Sequence, residues 1–115
     1  MGGVSAAEHI ESADFEEFAA SLAPEVVWVG VWPGQLCRNR DEVLATFRRE
    51  LEMGRSGSPE VVGEAEGRIV VDPHVDPPYE WAPELHHVFV LEKGRIVEMR
   101  DYPNRRAALE AVGLA

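Results

Sequence analysis

The sequence predicts an α+β domain with one antiparallel sheet, and three observations carry that reading. Residues 59–102 form a block of extended segments separated by tight turns, with no helical pattern between them. Strands that follow one another through short turns pair antiparallel. The segments with helical spacing lie outside that block, so helices collect on one side of the sheet. At 115 residues the chain has the length of a single domain, 1–115, able to bury a real core.

Taken in order, residues 5–11 suggest a short first helix. Residues 14–22, Asp-Phe-Glu-Glu-Phe-Ala-Ala-Ser-Leu, suggest a clearer one. Asp14 stands where a cap belongs, Glu17 follows three residues on, and Phe15, Phe18, Ala19 and Leu22 make an apolar face that Pro24 ends. Residues 25–31 are β-branched and aromatic and read as a strand, broken at Pro33-Gly34. Asn39 caps the main helix, 40–53, with Glu42 at the capping-box position and Val43, Leu44, Phe47 and Leu51 as the stripe that packs into the fold. Strands follow at 59–66 and 68–75, then a proline-stiffened loop at 76–83. Strands 84–92 and 95–102 form a hairpin turning at Lys93-Gly94, and Asn104 caps a last helix that Gly113 closes.

Acidic residues outnumber Lys and Arg by 21 to 11, a net charge of −10. Phosphate binding needs Lys and Arg, so neither nucleic acid nor an anionic membrane is an expected partner. Cys37 is the single cysteine, which rules out an internal disulfide and suits a reducing cytoplasm. No apolar run is long enough to span a bilayer, and the N-terminus lacks a signal-peptide profile.

The hairpin Leu85–Tyr102 carries the polar groups of interest. With a two-residue turn, Val90 faces Val97, Val88 faces Met99 and His86 faces Asp101, and opposed residues share a sheet face. One face is then an apolar floor of Val88, Val90, Val97 and Met99 ending in a His86–Asp101 pair. Such a pair can share a proton and act as a general base. A structural alternative stands beside it, with His86 a rim histidine and Asp101 paired to an arginine. A three-residue turn would place Arg100 opposite His86 instead. The other face holds Phe89, Leu91 and Ile96, an apolar patch expected to be covered in a homodimer. Trp28 and Trp32 alternate on the first strand as candidate pocket aromatics, and Tyr79 and Trp81 are candidates for a rim or lid. His74, His86 and His87 offer metal ligands on paper. Adjacent strand residues point to opposite faces, however, so no metal site is expected. No phosphate-cradling loop or nucleophile motif calls for a cofactor.

Four stretches, Leu22–Trp28, Cys37–Leu51, His87–Tyr102 and Ala108–Leu114, together resemble the SnoaL-like branch of the nuclear transport factor 2 (NTF2-like) superfamily. The resemblance spans nearly the whole chain. It implies a strongly curved antiparallel sheet wrapped around helices as a cone, a pocket at the open end, and dimers through the convex face. It also implies a catalytic role for Asp101, the aspartate of the final-strand Arg-Asp-Tyr; the hairpin reading supplies His86 as its partner, and His74 is a secondary candidate. The chain departs from the epoxide hydrolase pattern, since Val70-Val71-Asp72 lacks the arginine of an Arg-x-Asp pair. It departs from the steroid isomerase pattern too, having no aspartate in strand 25–31 and no tyrosine before Tyr79. The expected function is binding of a compact hydrophobic molecule by Trp28, Trp32, Tyr79, Trp81, Val88 and Met99, with cofactor-free cyclisation, isomerisation or hydrolysis at Asp101. The alternative is a non-catalytic ligand-binding or dimeric scaffold protein.

Overall fold

A computed structural model describes residues 15–115. The helix expected at 5–11, the Asp14 cap and His9 lie outside the described residues. The elements are α1 (Phe15–Ser21), β1 (Leu22–Val29), β2 (Leu36–Cys37), α2 (Arg40–Glu52), β3 (Glu60–Ala65), β4 (Arg68–Asp72), β5 (His86–Glu92), β6 (Arg95–Tyr102) and α3 (Arg105–Ala111). The six strands form one curved, unclosed sheet in the order β2-β1-β6-β5-β4-β3. The architecture is α+β, as expected.

Local chemistry sets the element ends. Asn39 accepts from the backbone N–H of Glu42 at 2.9 Å, and the Glu42 carboxylate accepts from the N–H of Arg38. Asn104 likewise accepts from Ala107 N–H at 2.8 Å. Both caps satisfy donors that the first helical turn leaves open. The β3–β4 and β5–β6 turns each place two residues at positive φ, Glu66-Gly67 and Lys93-Gly94. That is the backbone of the two-residue turns that match strand twist. Between β1 and the rest, the sequence reading needs correction. Pro24 does not end a helix but lies inside β1, where a register shift between Leu22 and Val27 accommodates it. β1 also pairs with β6 in parallel, with Trp28 beside Met99. The antiparallel expectation holds for β3 through β6.

The hairpin register is the second correction. Leu91 opposes Ile96, but Val90 opposes Glu98, Val88 opposes Arg100, His87 opposes Asp101 and His86 opposes Tyr102. Val97 is the extra residue of a β-bulge, and every pairing beyond it moves by one. The set expected to share a face is therefore split. Met99 goes inward with Phe89, Ile96, Leu22, Val26, Val43, Ile69 and Val71, against α1 and α2. Val88 goes outward with Val70, against Ala108 and Val112 of the C-terminal segment. Burial on both faces explains why His86, His87, Val88 and Phe89 are all inaccessible in succession. Phe89 and Ile96, expected on a dimer patch, are core residues 3% and 0% exposed. Of the α2 stripe, Val43 is fully buried whereas Leu51 is 55% exposed.

Met99 is fully buried and touches the cluster that joins β1, β5 and β6. Met99→Ala should lower stability by about 2–5 kcal/mol, measured by urea unfolding. A loss below about 1 kcal/mol would mean that the inner face is not close-packed at this point.

Candidate functional site

The inner face of the sheet, with α1, α2 and the loop 73–85, encloses a cavity of about 660 Å³. Its body is apolar and aromatic. Trp28 stacks on Phe47 with centroids 4.9 Å apart, and Phe18 meets Phe47 edge-on at 5.0 Å. Phe89 stacks with His87 at 5.6 Å. These rings are lined up by four different elements, since α1 supplies Phe18, β1 supplies Trp28, α2 supplies Phe47, and β5 supplies His87 and Phe89.

One carboxylate sits in this wall. Asp101 Oδ1 lies 2.7 Å from His87 Nδ1 and accepts from Trp28 Nε1–H, also at 2.7 Å. The Asp101 and His87 side chains are each 6% exposed. A carboxylate accepts, so Nδ1 carries the hydrogen, which leaves the Nε2 lone pair of a neutral imidazole for another donor. No hydrogen bond engages Nε2 among the described residues, and His87 lines the cavity. The unit is thus an oriented imidazole in an apolar room. Such an arrangement can take a proton from a bound molecule or from water and return it. His87, adjacent to the histidine that sequence reasoning chose, could have been found from sequence only by locating the bulge at Val97.

His86 faces the other way. Its Nδ1 is 2.7 Å from the carbonyl oxygen of Glu84, so Nδ1 donates, and Nε2 accepts from Arg105 Nε at 3.2 Å. Arg105 Nη2 also donates to Asp72 Oδ2 at 3.1 Å. The His86–Asp101 partnership is therefore overturned. His86 instead ties the start of α3 to the outer face. His74 lies in the same outer cleft, of about 480 Å³, with its Nε2 2.9 Å from Glu60 and its backbone N–H donating to Asp72. Among the described residues no group of three or more His, Cys, Asp or Glu is placed to hold a metal ion.

Burial pushes the Asp72 carboxyl up. The His74 backbone N–H, the His86 imidazole, the Arg105 hydrogen bond and the His74 imidazole outweigh it, so the group is held below its ordinary value of 3.8.

Of the remaining candidates, Trp28, Tyr79 and Trp81 line the cavity. Trp32 does not. β1 stops at Val29, and Trp32 stands in the following turn, 52% exposed. Met99 belongs to the packed floor and Val88 to the outer core. Sequence reasoning missed Phe18, Phe47, Phe89, Glu50 and Arg55 as cavity residues. The Phe18 and Phe47 positions on apolar helix stripes were the available signal.

No protein-family model matches the sequence, and no curated protein matches it either. Solved structures do. A protein provisionally described as a polyketide cyclase, from Sinorhizobium meliloti, superposes with a TM-score of 0.63 at 15% identity, covering 84% of this chain and 88% of that one. An NTF2-like protein of unknown function from Burkholderia pseudomallei superposes at 0.58 with 21% identity, covering 95% and 92%. The fold is NTF2-like. An LEH-like epoxide hydrolase of M. tuberculosis shares it too, at 0.58 and 17% identity over 92% and 84%. At these identities the likeness concerns the NTF2-like cone itself, on which many chemistries and binding roles are built.

The depressed Asp72 carboxyl has a consequence for acid stability. A group whose folded value lies below its unfolded one contributes stability above about pH 4, and that contribution is lost as pH falls through the folded value. Asp72→Asn should therefore lower the melting temperature at neutral pH and flatten the acid limb of the stability curve. Thermal melts from roughly pH 2 to 7 would show it. A variant that keeps the parent's acid sensitivity would remove Asp72 from this role.

Proposed function

We propose that this NTF2-like chain binds a compact, mostly hydrophobic molecule in the 660 Å³ cavity and moves a proton on it without a cofactor. The reaction class is cyclisation, isomerisation or hydrolysis. His87 is the base or acid that meets the molecule, and Asp101 orients it. The observation that carries the reading is the 2.7 Å His87–Asp101 contact within an aromatic wall, with the second imidazole nitrogen left to the cavity. The volume lies in the range of about 300–1,000 Å³ usual for small-molecule sites. The polyketide cyclase and epoxide hydrolase descriptions of structural neighbours are compatible with chemistry of this class.

Within this reading His87 takes the role first given to His86. Asp101 keeps its place as the carboxylate of the pair, while His74 and Val88 have none. The binding wall is Trp28, Phe47, Phe89, Tyr79 and Trp81. A homodimer remains part of the proposal, through a surface other than Phe89, Leu91 and Ile96, and the single cysteine suits a cytoplasmic setting.

A non-catalytic binding role has one observation in its favour. Asp101 Oδ1 is shared by two donors, Trp28 and His87, so the carboxylate is already occupied in completing the wall.

A ketone with an acidic C–H separates the two. In deuterated buffer with 2-tetralone, the parent should speed exchange of the C1 hydrogens, followed by proton NMR, and His87→Gln should slow it by about 100-fold or more. Asp101→Asn keeps an oxygen for Trp28 Nε1–H and His87 Nδ1–H but removes the charge behind it, so exchange should slow and the nitrogen-15 shift of Nδ1 should move as its hydrogen bond weakens. Tetralone binding with exchange no faster than in buffer would establish the non-catalytic role. Exchange unaffected by His87→Gln would remove His87 as the base.

A further inference from the structure

The cavity has a second polar pole, at its mouth, built from the end of α2 and the loop 73–85. Arg55 lies over the Tyr79 ring, 4.3 Å from its centroid. Its Nε donates to the carbonyl oxygen of Pro77 at 2.9 Å, and its Nη1 pairs with Glu50 Oε1 at 3.4 Å. The Tyr79 hydroxyl donates to the same Glu50 oxygen. Burial, the Glu50 hydrogen bond and the Glu50 charge together push the Tyr79 phenol well above its usual range, against the opposing pull of Arg55, so Tyr79 stays a donor. The guanidinium is thus clamped on two of its three nitrogens and stacked on a ring, with its side chain 21% exposed. Nη2 has no hydrogen-bond partner among the described residues.

The charges around the cavity divide unevenly. Among the described residues, its charged lining is Asp101 at the inner wall, and Arg49, Arg55 and Glu50 at the mouth. Asp101 is covered by His87 and Trp28. Of these described mouth groups Glu50 offsets one of two arginines, so an excess of one positive charge remains among them, in a chain whose net charge is −10. A clamped, partly desolvated guanidinium loses little freedom when it binds a planar anion, and its fork suits a carboxylate.

We propose that the cavity selects a compact aromatic or alicyclic carboxylic acid, with its carboxylate held by Arg55 and Arg49 at the mouth and its ring body directed inward along the aromatic wall toward His87. Arg55 is then the specificity-determining residue. The inference rests on the small-molecule reading of the cavity given above and adds the charge of the ligand to it. A role of Arg55 as a mere staple between α2 and the loop predicts a loss of stability on substitution but no discrimination between charged and neutral ligands.

Two probes of equal shape make the test, 2-naphthoate and 2-naphthalenemethanol, titrated calorimetrically into the full chain. The parent should bind the acid about 10-fold more tightly than the alcohol, as one charge-assisted contact at a partly screened site would give. Arg55→Gln should cut that preference to about 2-fold or less, the acid losing far more affinity than the alcohol. Should Arg55→Gln fail to fold, Arg49→Gln, at an exposed position, should still reduce the preference, and added salt should weaken the acid's binding only. Equal affinity of the parent for both probes overturns the proposal, as does a preference that survives both substitutions. Alcohol binding without acid preference would leave the small-molecule reading standing. Failure of both probes to bind would count against that reading, and the ligand class would fall with it.

Discussion

The chemistry of the cavity depends on one extra residue in β6. Without the bulge at Val97, Asp101 would oppose His86 and face α3, and the inner wall would lack its carboxylate. With it, Ile96, Met99 and Asp101 all point inward although their spacing along the strand is three and then two. A bulge raises local twist and bends the strand, and β6 is the strand that must hold β1 on one side and β5 on the other. The same irregularity therefore brings the Trp28 indole and the His87 imidazole to a single oxygen of Asp101.

Placing two histidines in succession on a strand buried on both faces divides polar duties between the faces. His87 gives the inner wall a group that can hold a proton. His86 accepts from Arg105 and donates to a carbonyl, which satisfies a polar ring in an otherwise apolar layer beneath α3. The two rings belong to separate networks, Asp101 with Trp28 on one side and Asp72 with Arg105 on the other.

Much of the fold was legible in the chain because it is written in local chemistry. The Asn39 and Asn104 caps, the glycine turns at Gly67 and Gly94, and the β-branched runs of β4 and β5 each depend on residues within a few positions of one another. What escaped was set at long range. No local signal marks Val97 as a bulge residue, and one bulge reassigned His86, Val88 and Asp101 to different faces or partners. The parallel pairing of β1 with β6 joins residues some seventy apart in sequence. Arg55 and Tyr79 meet only because the loop 73–85 folds back on the end of α2. Trp32 was misjudged for a simpler reason, that β1 ends sooner than its apolar residues suggest.

β5 and β6 are the middle pair of the six-stranded sheet, two strands in from each edge. Sheets fray from their margins, where backbone hydrogen bonds are open to solvent. Opening at β2 or β3 leaves the ladder between His87 and Asp101 intact. The ladder between β5 and β6 is thus the part of the sheet most sheltered from its margins, and the amides at its middle are the last to trade hydrogen for deuterium.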